Sequence, residues 1–376
     1  MKKTLLVTLD FPPQRGGVAR YYDNLCRHLS AGSIVVLAPR AHGFVDEAVF
    51  SVVRRSLVWR WWPQWLPLFW HIFRAARKHQ CKHIAVGQVL PVGTVVWLLS
   101  FIWRLPYSVL THGMDVTLPQ RSWRKRWLMQ QICRRARFVT SVSEFTRGML
   151  VQGGVSAEKI SLLPPGVTEL LPSQRDFRQE FGLEKDCFVL LTVGRLVERK
   201  GHDLVLSALA DIAGRGIHNW HYFIVGTGPE QTLLEKVVVS LGLRSRVTFL
   251  YQLSDADMAA AYRACDVFVM PARADQGGVD VEGFGIVFLE AALFGKPSIA
   301  SDSGGMADAI VHQQTGYIIR DGDARELADV IETLIQRPEQ RKLWGEQARS
   351  RVKRDFLWNI QAQKFERLVD GASGQR

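Results

Sequence analysis

The stretch "FVLLTVGRLVERKG", residues 188–201, decides how the chain is built. It opens on a continuous apolar run, broken only by Thr192. Such a run reads as a strand buried on both faces, the kind found in parallel sheets covered by helices. Gly194 and a basic loop follow at once, and then a helical pattern over 203–216.

The same strand–turn–helix unit recurs on either side. Upstream, strands are expected at 4–10, 33–39, 83–87, 107–113, 137–143 and 159–164, with helix-length segments such as 18–30 and 121–135 between them. From 188 the pattern restarts, with strands at 188–195, 221–228, 246–252, 266–272, 297–302 and 316–321 and helices at 203–216, 229–241, 255–264 and 286–295. Two such sets predict an α/β chain of two doubly wound parallel-sheet domains, in keeping with a length of 376 residues. Pro164, Pro165, Gly166 and Pro172 mark a hinge. The expected domains are 1–168 and 169–354, followed by 355–376, a C-terminal helix crossing back toward the first domain. Ligands of such sheets bind at the C-terminal strand ends, here expected in a cleft between the domains.

Charge is uneven. Residues 1–168 carry 23 Lys and Arg against 7 Asp and Glu, while the remainder carries 25 against 29. That asymmetry points the first half at an anionic surface. No helix-turn-helix, RNA-binding or zinc pattern accompanies it, so nucleic acid is not the expected partner. The five cysteines are scattered with no CxxC pair, which reads as reduced, buried thiols and no metal site. Met1-Lys2-Lys3 runs straight into a strand with no room for a signal-peptide core.

Several loops at strand ends carry chemistry. Gly16 and Gly17, between the first strand and its helix, either allow a ligand close to the backbone or only tighten the turn. Arg195 and Lys200 could converge on a diphosphate or form a solvated basic loop. Gly226 stands in another strand–glycine–helix turn, and His112 at a strand end is either structural or faces the cleft. The loop "ARADQGGVDVEGFG" (272–285) is acidic through Asp275, Asp280 and Glu282, and flexible through Gly277 and Gly278. Gly283, Phe284, Gly285 and Ile286 would present backbone amides to an anion just before a helix. Glu290 lies one turn into that apolar helix and needs partners, either sugar hydroxyls or a structural ion pair.

In this order, "DFPPQRGGVARY", "GRLVERKG" and "MPARADQGGVDVEGFGIVFLEA" resemble the retaining glycosyltransferases of family 4, which include sucrose synthases and bacterial phosphatidylinositol mannosyltransferases. The resemblance covers most of residues 1–355 and is strongest in the mannosyltransferase type. It implies the GT-B fold: two Rossmann-like domains facing each other across a cleft. It implies catalytic roles for His112, Arg195, Lys200 and Glu282. Donor binding would fall to Gly16, Gly17, Arg195, Lys200, Glu282, Glu290 and the amides of Gly283, Phe284, Gly285 and Ile286, with Gly226 in its turn and Gln252 and Leu253 beside the nucleobase. Within that set Glu282 would hold the donor sugar and Glu290 the ribose. The implied donor is a nucleotide-sugar, GDP-mannose or a UDP-sugar, with no metal or other cofactor. Thr168, where the family usually has Asp, and "GGMADA" at 304–309, where it has Gly-Gly-x-Pro-Glu, depart from the pattern. The alternatives are a UDP-sugar-dependent transferase with a soluble acceptor, or a nucleotide-sugar epimerase of the same fold.

Residues 52–79 hold Trp59, Trp61, Trp62, Trp65 and Trp70 among basic residues and Pro63. These tryptophans either pack in the core or sit at a membrane interface. The apolar run 89–103 is shorter than the roughly 20 residues needed to span a bilayer and reads as a buried helix or a lipid-facing one, while "RSWRKRW" (121–127) and "CRRAR" (133–137) add positive charge. The expectation is a cytoplasmic enzyme, peripheral on the inner face of the membrane, that docks on anionic lipid through its first domain and takes a lipid-linked or glycan acceptor.

Overall fold

A computed structural model describes residues 1–14, 16–41, 44, 46, 49–58, 64–169, 173–274 and 282–371. Of the residues singled out above, Trp59, Trp61, Trp62, Pro63, Pro172, Asp275, Gly277, Gly278 and Asp280 lie outside the described residues. The chain forms two compact units, Met1–Gly166 with Leu357–Arg376, and Val167–Phe356.

The first unit holds strands β1 (Thr4–Val7), β2 (Ile34–Pro39), β3 (Ser51–Arg55), β4 (His83–Val86), β5 (Tyr107–Thr111), β6 (Val139–Ser141) and β7 (Ile160–Leu162). They pair in the order β3-β2-β1-β4-β5-β6-β7, parallel throughout. Side chains alternate across the sheet. Leu5, Val7, Val35 and Leu37 enter one buried cluster, whereas Leu6, Ile34, Val36 and Ala38 enter the other. Both faces are dry, which is why these strands read as unbroken apolar runs. The second cluster is completed by Trp358, Ala362, Phe365 and Val369 of helix Trp358–Asp370. The last helix therefore belongs to the core of the first unit.

Strand β3 was not anticipated. It is an edge strand, half-exposed along its length, so "SVVRR" carries no long apolar run to betray it. Within 89–103, Leu90 departs from helical geometry inside the turn Val89–Gly93, and the regular helix is Thr94–Ile102. Among the described residues no helix is long and apolar enough to cross a membrane.

The second unit holds β8 (Phe188–Val193), β9 (Trp220–Val225), β10 (Val247–Leu250), β11 (Val267–Met270), β12 (Ser298–Ser301) and β13 (Gly316–Ile319). Their order, β10-β9-β8-β11-β12-β13, is that of a dinucleotide-binding sheet, with the chain reversing direction between β8 and β11. The C-terminal ends of those two strands are where such a sheet receives ligands.

Candidate active site

Lys200 and Glu282 come from the loops after β8 and β11, on either side of the reversal point. The Lys200 ammonium donates to Glu282 Oε2 at 2.7 Å, and the Arg199 guanidinium donates to the same oxygen at 2.8 Å. Lys200 is buried, with Nζ also 3.5 Å from the Met270 sulfur. Burial pushes the Glu282 carboxyl up, but Lys200 and then Arg199 outweigh it and hold the group below the usual carboxylate range. Both bonds fall on Oε2, and Oε1 has no partner among the described residues.

The backbone of Glu282 is fixed from a third strand. Its carbonyl accepts from Gly305 N–H at 2.8 Å, in the loop after β12. A Cβ on neighbouring Gly304 would come within 2.5 Å of that carbonyl, and φ there is +66°. Only glycine lets the two backbones approach so closely. Gly283 and Phe284 follow, the latter buried with its ring 5.7 Å from Phe356. Gly285 caps helix Ile286–Leu293, whose first amides point out of the helix at this end. Arg195 is exposed just past β8, and its guanidinium has no partner among the described residues. Gly226 lies just past β9, and Gln252 and Leu253 just past β10, both sets on the same edge of the sheet.

Glu290 has found a hydroxyl donor. The Tyr262 phenol donates to Glu290 Oε2 at 2.7 Å. Tyr262 is fully buried on helix Asp255–Ala264, and burial together with Glu290 holds its phenol well above the usual range, so it stays protonated. A carboxylate on an apolar helix thus sits beside a built-in hydroxyl donor.

In the first unit, Gly16 and Gly17 open helix Gly17–His28, and a Cβ on either would meet nothing within 4 Å among the described residues. His112 follows β5, with Nε2 2.7 Å from the Tyr22 hydroxyl. That hydroxyl donates its hydrogen to Gly87 O at 2.5 Å, so it accepts from His112, which assigns the ring proton to Nε2. Burial lowers His112 to about 3, keeping the ring neutral. Asp115 accepts from the N–H groups of both His112 and Gly113 at 2.9 Å, yet burial raises its carboxyl to about 6. Gln88 ties the loop after β1 to the end of β4, donating to Thr8 Oγ1 at 3.0 Å and Asp10 Oδ2 at 2.8 Å.

Arg199, Tyr262, Tyr22, Gln88 and Asp115 escaped the sequence reading. Only Asp115 carries a signal there, an acid in the first turn of helix Met114–Gln120. Tyr262 and Tyr22 read as core residues, and Arg199 as one more cation in a basic loop.

Two parallel doubly wound sheets, with a basic and carboxylate-bearing strand edge in the second, make a two-domain protein of the nucleotide-binding α/β class. The model of glycosyl transferases group 1 matches residues 173–351, and that of Glycosyltransferase Family 4 matches residues 15–169. The chain is 31% identical over 396 aligned residues to a GDP-mannose-dependent alpha-(1-6)-phosphatidylinositol monomannoside mannosyltransferase of Mycobacterium tuberculosis, covering 100% of both. It is 28% identical to a GDP-mannose-dependent monoacylated alpha-(1-6)-phosphatidylinositol monomannoside mannosyltransferase of Corynebacterium glutamicum, covering 98% of both. The crystal structure of Anabaena HepE in complex with UDP superposes with a TM-score of 0.82 at 22% identity, covering 99% of this chain and 100% of that one, a likeness of fold. This chain belongs to glycosyltransferase family 4, with the GT-B fold of two Rossmann-like domains.

Proposed function

We propose that the protein is a retaining mannosyltransferase that moves mannose from GDP-mannose to a lipid-linked glycan at the inner face of the membrane, where anionic lipid attracts its basic first unit. The carrying observation is the Glu282–Lys200–Arg199 cluster at the reversal point of the second sheet, in a chain similar over its whole length to GDP-mannose-dependent enzymes. Arg195, Lys200 and the amides at the start of helix Ile286–Leu293 supply positive field to the departing diphosphate. Glu282 Oε1 accepts a mannose hydroxyl, and Glu290, oriented by Tyr262, accepts from the ribose. The C1–O bond to the diphosphate breaks as the acceptor oxygen bonds C1 on the same face. The acceptor proton passes to the departing phosphate oxygen. The cations stand in for a metal, so transfer persists in EDTA.

A thermal-shift panel of GDP-mannose, UDP-glucose and ADP-glucose tests the donor. A ligand at 100 times its Kd stabilises by about 2.7 kcal/mol. GDP-mannose is expected to give the largest shift. A larger shift with UDP-glucose favours the UDP-sugar alternative, and the anomeric configuration of the product by NMR tests retention.

A further inference from the structure

The first unit carries an aromatic and basic face that the transfer chemistry does not use. We infer that this face seats the enzyme on an anionic bilayer, with the ends of helices Thr94–Ile102 and Trp123–Arg135 in the headgroup layer. The inference rests on the lipid-borne acceptor proposed above and adds which surface meets the lipid.

Charge comes first. Residues 48–143 hold fifteen lysines and arginines and one acidic residue, Asp115. That carboxylate is engaged by the amides of His112 and Gly113. The face therefore has no acidic side chain of its own segment to balance it.

Apolar exposure coincides with the charge. Helix Thr94–Ile102 packs between helices Leu66–Lys78 and Trp123–Arg135. Phe101 is 58% exposed, Ile102 80%, Trp123 76% and Trp127 53%. They form one band, because Trp97 meets Phe101 at 5.2 Å and Trp127 at 6.4 Å. Trp70, 58% exposed, extends it along the neighbouring helix through Phe73 and Trp103. Cations lie directly on these rings: Arg135 is 4.2 Å from the Phe101 centroid and Arg124 5.2 Å from that of Trp123.

This combination fits one partner. Rings with guanidinium groups at the same depth match the level of lipid phosphates, where amphipathic aromatics collect. A phosphodiester backbone would use the cations but gain nothing from Ile102. A band of this kind exceeds the scattered apolar residues of an ordinary surface. Among the described residues no helix spans a bilayer, so the protein lies on the membrane through this face. The band lies on segments 89–103 and 121–137, which the sequence offered as lipid-facing and basic beside 52–79. Trp65 of that segment packs against the core instead, and Trp70 stands at the margin of the band.

Co-sedimentation of the full chain with vesicles, without donor or acceptor, tests this. One set is equal parts phosphatidylcholine and phosphatidylglycerol, the other phosphatidylcholine alone. The wild type is expected to bind the anionic set about tenfold or more tightly, since each basic residue near such a surface is worth roughly fivefold. F101S/I102S/W123S should lose about tenfold on anionic vesicles while keeping its melting temperature and its GDP-induced shift. R74Q/R124Q/K125Q, which removes exposed cations of helices Leu66–Lys78 and Trp123–Arg135, should lose the preference for anionic lipid. Undiminished binding by the serine variant, equal binding of the wild type to both sets, or a dimer that the serine variant abolishes overturns the proposal. Because the vesicles carry no acceptor, such a failure leaves the transfer reaction standing, and a failed GDP-mannose assay leaves the docking result standing.

Discussion

Lys200 Nζ lies 2.7 Å from Glu282 Oε2, although 82 residues separate the two in sequence. The pair joins the loops of the two strands between which the second sheet reverses direction. With Arg199 on the same oxygen, two cations meet one carboxylate, and exposed Arg195 adds a third cation to that sheet edge. Lys200 and Arg199 hold Glu282 ionised, its carboxyl below the usual range.

Replacing Lys200 by Ala removes a buried charge that meets both Glu282 and, in our reading, the diphosphate. Arg199 still neutralises Glu282, so the fold should survive. GDP-mannose affinity by calorimetry is expected to fall about tenfold or more, as for loss of one charge-assisted contact worth about 1.5–3 kcal/mol. Unchanged affinity would remove Lys200 from the donor site.

The carboxylate itself makes an acid-stability prediction. Lys200 and Arg199 hold folded Glu282 below its ordinary 4.5, so the folded state binds its proton less readily than the unfolded chain. The stabilisation is full above 4.5 and is lost as pH falls through the lower folded value. Urea midpoints of the wild type should therefore drop more steeply between about pH 5 and pH 3 than those of Glu282→Gln. Parallel curves would show that the cluster contributes nothing to acid stability.

Tyr262→Phe keeps the buried ring, including its 14° stack on Phe294, and deletes only the hydroxyl that donates to Glu290. A hydrogen bond to a charged group is worth about 1.5–3 kcal/mol, so urea unfolding should register a loss in that range or slightly below. If Glu290 holds the ribose, GDP affinity falls as well, because the carboxylate loses the partner that orients it. A stability loss with GDP binding intact would confine Tyr262 to the fold.

The strands were legible because a sheet dry on both faces demands long apolar runs, and all but one stood out that way. Edge strand β3 needs no such run and escaped. The two glutamates were legible for a different reason: carboxylates beside glycine turns and on an apolar helix contradict their surroundings. Their partners were not. Arg199 looks like any cation of a basic loop, and Tyr262 like any core tyrosine, until the sheet order brings them to residues 83 and 28 positions away. Aromatic residues were the hardest to sort, since Trp65 and Trp70 stand five residues apart, one packed on the core and the other open to solvent.

Asp115 gives a pH prediction of opposite sign to that of Glu282. Burial raises its carboxyl from 3.8 to about 6 despite the N–H groups of His112 and Gly113. The folded state therefore binds this proton more tightly than the unfolded chain, and stability falls as pH rises from about 4 through 6. Neighbouring His112, lowered to about 3, works the other way over much of the same range, so the wild-type curve alone mixes the two. Comparison with Asp115→Asn isolates the carboxylate, because the amide oxygen still accepts from both N–H groups and His112 is unchanged. The variant should match the wild type near pH 4, gain on it up to about pH 7 and hold a constant advantage beyond, on the order of 3 kcal/mol for a shift of about two units. Urea unfolding at each pH reads the difference. An advantage that does not vary with pH would mean that Asp115 is not buried with its charge uncompensated.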